Sequence, residues 1–131
     1  MRPEFVSPAG LYPGAPYEYA AVSPGGARLV FAAGACPLND AGGVVAPGDY
    51  AEQARIAVSN LGVALKAAGS GLDRVVKSTV HVASADRAQL VRVWRVVEEA
   101  FAPARPPSTL LGVAALGYEG QLVEIEAVAL G

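Results

Sequence analysis

Pro103-Ala-Arg-Pro-Pro-Ser-Thr-Leu-Leu-Gly-Val-Ala-Ala-Leu116 and, beyond the turn at Gly117 to Gly120, Gln121-Leu-Val-Glu-Ile-Glu-Ala-Val-Ala129 decide how this chain folds. A proline-stiffened loop carrying Arg105 enters an apolar strand, and a second strand returns with two acids. Side chains alternate across a strand, so Glu124 and Glu126 share one face while Val123, Ile125, Ala127 and Ala129 share the other. Such a strand needs a sheet whose two faces meet different surroundings.

Upstream, Val75-Val-Lys-Ser-Thr-Val-His-Val82 is β-branched and alternating, with Lys77, Thr79 and His81 on one face and Val76, Ser78, Val80 and Val82 on the other. Two stretches carry apolar residues at helical spacing: Ala54, Ala57, Val58, Leu61, Ala64, Leu65 and Ala68, then Leu90, Val93, Trp94, Val97, Ala100 and Phe101. Asp49 with Glu52 predicts a capping box for the first helix, which Gly69 to Gly71 ends; Ser84 is a candidate cap for the second, which stops before Pro103. Tyr17 to Val22, the turn Ser23-Pro-Gly-Gly26 and Arg28-Leu-Val-Phe-Ala-Ala-Gly-Ala35 read as an opening hairpin. Residues 1–16, with four prolines and two glycines, read as an irregular arm. The order is β-β-α-β-α-β-β, an α+β domain spanning residues 1–131, with two helices on one face of a single sheet. The other face, bearing Glu124 and Glu126 beside Leu122 and Val128, is left for self-association.

Composition narrows the partners. The 131 residues are 53% hydrophobic and 17% charged, against roughly 25% charged in an average domain, which again points to an oligomer. Net charge is −2, and the ten Lys and Arg are scattered, which speaks against a phosphate-binding surface for nucleic acid. One Cys and one His leave no disulfide and little scope for a metal site. The first twenty residues hold no apolar core of a signal peptide or membrane span, so a cytoplasmic protein is expected.

Pro16-Tyr17, Ala33-Gly34-Ala35-Cys36-Pro37, Gln53-Ala54, Asn60-Leu61, Val76 to Val82 and, most specifically, Leu122-Val-Glu-Ile-Glu-Ala-Val-Ala129 together resemble the RidA (YjgF) family. The resemblance implies a chorismate-mutase-like fold, a homotrimer with ligand sites in clefts between subunits, and hydrolysis of 2-imino acids to 2-keto acids and ammonia without a cofactor. By that resemblance Glu124 acts on the attacking water, Arg105 clamps the substrate carboxylate with a bidentate fork, Gly34 supplies a backbone group and Tyr17 lines the cleft. Asp86 stands where the family often has asparagine, and Ala33-Gly34-Ala35 replaces a frequent Ser-Gly-Gln. Two registers stay open. Either Arg105 is the clamp and Pro106-Pro107-Ser108 is inserted before the strand, or, counting back from the strand, Ser108 holds the arginine's place and the protein is a non-catalytic binder of small carboxylate or carbonyl metabolites. An endoribonuclease, a label the wider family often carries, is disfavoured by the acidic charge balance. Neither Cys36 nor His81 has a role that the residues define.

Overall fold

The computed structural model describes residues 2–131. Its elements are β1 (Glu4–Val6), β2 (Ala20–Val22), β3 (Leu29–Phe31), α1 (Tyr50–Ala67), a short 3-10 turn (Leu72–Arg74), β4 (Val75–Val82), α2 (Arg87–Phe101), β5 (Ser108–Gly112) and β6 (Val123–Leu130). Four strands form the main sheet in the order β3-β6-β4-β5; β4 and β5 run parallel, and β6 is antiparallel to both of its neighbours.

Both helices lie on one face of this sheet. Their stripes, centred on Ala57, Leu61 and Leu65 in α1 and on Val93, Val97 and Phe101 in α2, close over Val80, Val82, Val123, Ile125, Ala127 and Ala129 in one core. A slip between Val75 and Lys77 in the pairing of β4 with β6 turns Val75, rather than Val76, toward that core. Helix ends follow local chemistry. Asp49 Oδ1 accepts from the Glu52 amide at 3.0 Å, but the carboxylate of Glu52 binds Arg55 instead of reaching back, so only half of the capping box forms. At the far end Gly69, with φ 81°, closes α1: Ser70 N donates to Leu65 O and Gly69 N to Lys66 O, a Schellman pair. The cap of α2 is Asp86, not Ser84; Ser84 Oγ accepts from the Asp86 amide one step earlier.

The N-terminal third departs from expectation. The arm is not irregular throughout, because β1 pairs antiparallel with β2 in a separate two-stranded sheet, Glu4 opposite Val22. The opening hairpin is therefore not formed: β2 is taken by β1, and β3 pairs with the C-terminal β6, Val30 opposite Ala129. The turn signal at Ser23 to Gly26 marks a reversal, but pairing is set by long-range contacts that a local motif does not encode. Among the described residues no helix is long and apolar enough to cross a membrane.

The face away from the helices carries Lys77, Thr79 and His81 from β4, Glu124, Glu126 and Val128 from β6, and Leu29 and Phe31 from β3. Phe31 is 73% exposed there, so this face is uncovered within one chain.

Candidate functional site

Strand alternation turns Glu124 to the open face while its neighbours Val123 and Ile125 are fully buried. Ala35 and Ile125 form an antiparallel bridge, with Ala35 N donating to Ile125 O at 2.7 Å and Ile125 N to Ala35 O at 3.1 Å. That bridge lays Gly34 to Cys36 alongside the acid. The Cys36 thiol donates to Glu124 Oε1 at 3.2 Å, and Gln121 Nε2 donates to the same oxygen at 3.2 Å. Oε2 lies over Gly34, where a Cβ would sit 2.5 Å from it. Glycine in this segment is thus explained by the close approach of the carboxylate.

Polar side chains on α1 hold the two loops that flank Glu124. Asn60 Nδ2 donates to Cys36 O and Leu38 O at 2.9 and 3.0 Å, pinning the segment after β3. Gln53, fully buried, donates to Gly120 O at 3.1 Å and Ala46 O at 3.3 Å and accepts from Leu122 N at 2.8 Å, pinning the turn before β6. Cys36 O and Ala46 O also accept from backbone amides, whereas Leu38 O, Gly120 O and Leu122 N have these side chains as their partners.

Burial, followed by the hydrogen bond and negative charge of Glu124, pushes the Cys36 thiol up to about 11, while Gln121 acts in the opposite direction. At neutral pH Cys36 is a protonated donor and not a nucleophile. Elsewhere on the open face His81 Nε2 meets Glu126 Oε1 at 3.1 Å, and Lys77 Nζ donates to Thr109 Oγ1 at 2.6 Å. Burial holds the Lys77 ammonium below its ordinary range. Phe31, Lys77, Thr79, Glu126 and Val128 surround a depression of about 410 Å³. Among the described residues no group of three or more His, Cys, Asp or Glu is arranged to hold a metal ion.

The remaining sequence candidates fall into a second group. Arg105 and Tyr17 line one cavity of about 530 Å³ between the arm and the loop before β5, with Tyr12, Tyr19 and Glu18. Arg105 donates through its guanidinium to Ala15 O, and its own carbonyl accepts from Glu18 N at 2.8 Å. Tyr17 stands edge-on to Tyr19 and Trp94, with ring centroids 5.7 and 6.4 Å apart. Ser108 is the first residue of β5, opposite Ser78; its hydroxyl shares a 2.5 Å hydrogen bond with Ser78 and donates to Pro106 O at 3.0 Å. Asp86 spends its carboxylate capping α2, accepting from Ala88 N at 2.9 Å. The structure therefore brings Glu124 together with Gly34, and Arg105 together with Tyr17, but leaves Ser108 and Asp86 in structural hydrogen bonds.

Two residues at Glu124 escape sequence reasoning. Cys36 enters the sequence reading only as a letter of the Ala33 to Pro37 stretch with no role attached, and Gln121 only as a polar residue entering an apolar strand; a polar side chain at the edge of such a run is a weak sign that something buried needs a partner.

The endoribonuclease L-PSP family model matches residues 9–131. The bovine 2-iminobutanoate/2-iminopropanoate deaminase is 38% identical over 103 residues, 79% of this chain and 73% of that protein. The RutC family protein UK114 of Drosophila melanogaster is 37% identical over 118 residues, 90% of this chain and 81% of the relative. Among solved structures, YyfB of the conserved Rid protein family from Yersinia pestis superposes with a TM-score of 0.91 at 28% identity, covering 99% of each chain. Two helices on one face of a mixed sheet, the acid-bearing last strand and this near-complete family match identify the chain as a member of the endoribonuclease L-PSP family, the RidA (YjgF) proteins.

Proposed function

We propose that the protein hydrolyses 2-imino acids to 2-keto acids and ammonia, with Glu124 as the acid/base. The observation that carries this reading is the state of the Glu124 carboxylate. Oε1 is held by two donors, while among the described residues no hydrogen bond engages Oε2, which faces the open side over Gly34. The name of the bovine relative supports the same chemistry. In the reaction Oε2 takes a proton from water as the water oxygen bonds to the carbon of the protonated imine and the C=N π pair moves to nitrogen, giving a neutral carbinolamine. The protonated carboxyl then returns that proton to the nitrogen, the C–N bond breaks with its electron pair on nitrogen, and the hydroxyl proton passes to the departing ammonia as the carbonyl forms. Water and imine are thereby converted to ketone and ammonia with no redox partner.

The uncovered face bearing Phe31 supports assembly as a homotrimer, in which Arg105 and Tyr17 of one subunit approach Glu124 of the next and the guanidinium meets the substrate carboxylate. The lone thiol suits a reducing cytoplasm. Purified protein should accelerate ammonia release from freshly generated imino acid and sediment with the mass of three chains. Glu124→Gln should lower kcat by roughly 10²–10⁴-fold. A flat rate, with a keto acid still protecting against thermal unfolding, would instead make the protein a binder.

A further inference from the structure

Glu124 could carry out acid/base chemistry only if its reactive oxygen were held in place, and a glutamate side chain on an open face has three torsions to lose. We infer that Gln121 and Cys36 form a positioning pair that fixes Oε1 of Glu124 and thereby aims Oε2 at the open side over Gly34. The inference rests on the imine-hydrolase reading for its chemistry, and on the contacts of this chain for its geometry.

The orientation of the Gln121 amide follows from its surroundings. Its Oε1 accepts from the Tyr118 amide at 3.1 Å, and its Nε2 donates to Val123 O at 3.1 Å; a flipped amide would set donor against donor and acceptor against acceptor. With those two bonds made, the second Nε2 hydrogen is directed to Glu124 Oε1. Gln121 is only 3% exposed, so water does not compete for this hydrogen. Cys36 is placed from the other side, its carbonyl held by Asn60 and its preceding residue bridged to Ile125. The thiol has one proton and two acceptors in reach, Glu124 Oε1 at 3.2 Å and Gly34 O at 3.5 Å; the shorter contact is also the charged one. Two donors arriving from two different loops restrain the carboxylate against both rotation and withdrawal. A purely space-filling role for these residues would need neither donor.

The test compares kinetics and a measurement that does not need turnover. In the imino-acid assay Gln121→Leu and Cys36→Ala should each lower kcat about 10-fold or more while KM changes little, since a displaced catalytic group costs up to about 10²-fold. Cys36→Ser, which keeps a donor, should recover much of the loss. Separately, ultraviolet thiolate absorbance against pH should place Cys36 in the wild type near 11, and Glu124→Gln should bring it back toward the ordinary 9.0. If the wild type turns over and both variants stay within about twofold of it, the positioning role is overturned and the function stands. A wild type inactive on imino acids removes the proposed function. The thiol titration then decides the pair: a fall on Glu124→Gln upholds the contact, and an unmoved value overturns it. Should Gln121→Leu fail to fold, Gln121→Glu, which exchanges the donor for a like charge, gives the same kinetic reading.

Discussion

The surroundings of Glu124 and those of Arg105 are built in opposite ways. Around Glu124 the contacts are anchored in the sheet and α1: buried Gln53 and Asn60 hold the flanking loops, and Gly34 is pressed against the carboxylate. Around Arg105 the partners are an arm whose residues 7–14 are all exposed, tied to the fold by single bonds such as Glu18 N to Arg105 O. The first region owes its geometry to elements that unfold only with the whole domain. In the second, residues 7–14 can open locally at little cost because they bury little, whereas Ala15 and Tyr17 stay packed. On the proposed function, such a division suits an acid that must be aimed beside an arm that admits and releases a ligand.

This contrast can be broken by four changes. The largest effect is expected for Gly34→Ala. The new methyl would stand 2.5–2.9 Å from Oε2, Cδ and Cγ of Glu124, so the carboxylate must leave its two donors: unfolding free energy should fall by about 1–3 kcal/mol and kcat by as much as roughly 10²-fold. An unchanged kcat in the folded variant would mean that Gly34 serves the fold alone. Gln53→Ala should act mainly on stability, costing about 2–4 kcal/mol in denaturant unfolding because Leu122 N loses its partner in a closed space. Arg105→Ala should raise KM about 10-fold with kcat nearly unchanged if the arm only binds; an equal fall in kcat would merge the two regions. The smallest effect concerns pH. A thiol raised from 9.0 to about 11 in the folded chain keeps its full stabilising contribution below 9 and loses it as pH rises through 11. Chemical denaturation of the wild type should therefore weaken across that window, and Cys36→Ala should remove that part of the slope.

The depression at Phe31, Lys77 and Glu126 belongs to neither region. It lies on the face proposed for subunit contact, and Lys77, depressed by burial even in one chain, would be desolvated further by a partner there. If the proposed trimer forms through this face, Phe31→Glu should shift the sedimenting mass from three chains toward one.

Legibility in the sequence follows the range of the interaction. The alternation of β6 placed Glu124 opposite Val123 and Ile125, and the apolar spacing of α1 and α2 marked their stripes, because such patterns are local and a misplaced residue costs burial at once. The Asp49 cap was equally plain. The Asp86 cap was not, since Ser84 two residues earlier offers the same chemistry, and only backbone direction decides which one the helix uses. The partner of β2 was also hidden: β1 is three residues long, and nothing in Glu4-Phe-Val6 announces a pairing with Ala20 to Val22. For the site, Glu124 and Gly34 were given roles by the resemblance, whereas Cys36, in the same stretch as Gly34, and Gln121 were given none and reach the carboxylate from loops 88 and three residues away.

By itself, then, the sequence determined both helices and the strands other than β1, which face of β6 is acidic and which family the chain resembles, because periodicity and motif are properties of neighbouring residues. Only the tertiary structure decided that β3 joins β6, that Gly34 lies under Glu124, that Cys36 and Gln121 share one carboxylate oxygen, and that Arg105 keeps company with Tyr17. Those pairings depend on closing long loops and on packing two faces at once, and their free energy belongs to the assembled fold, not to any segment of it.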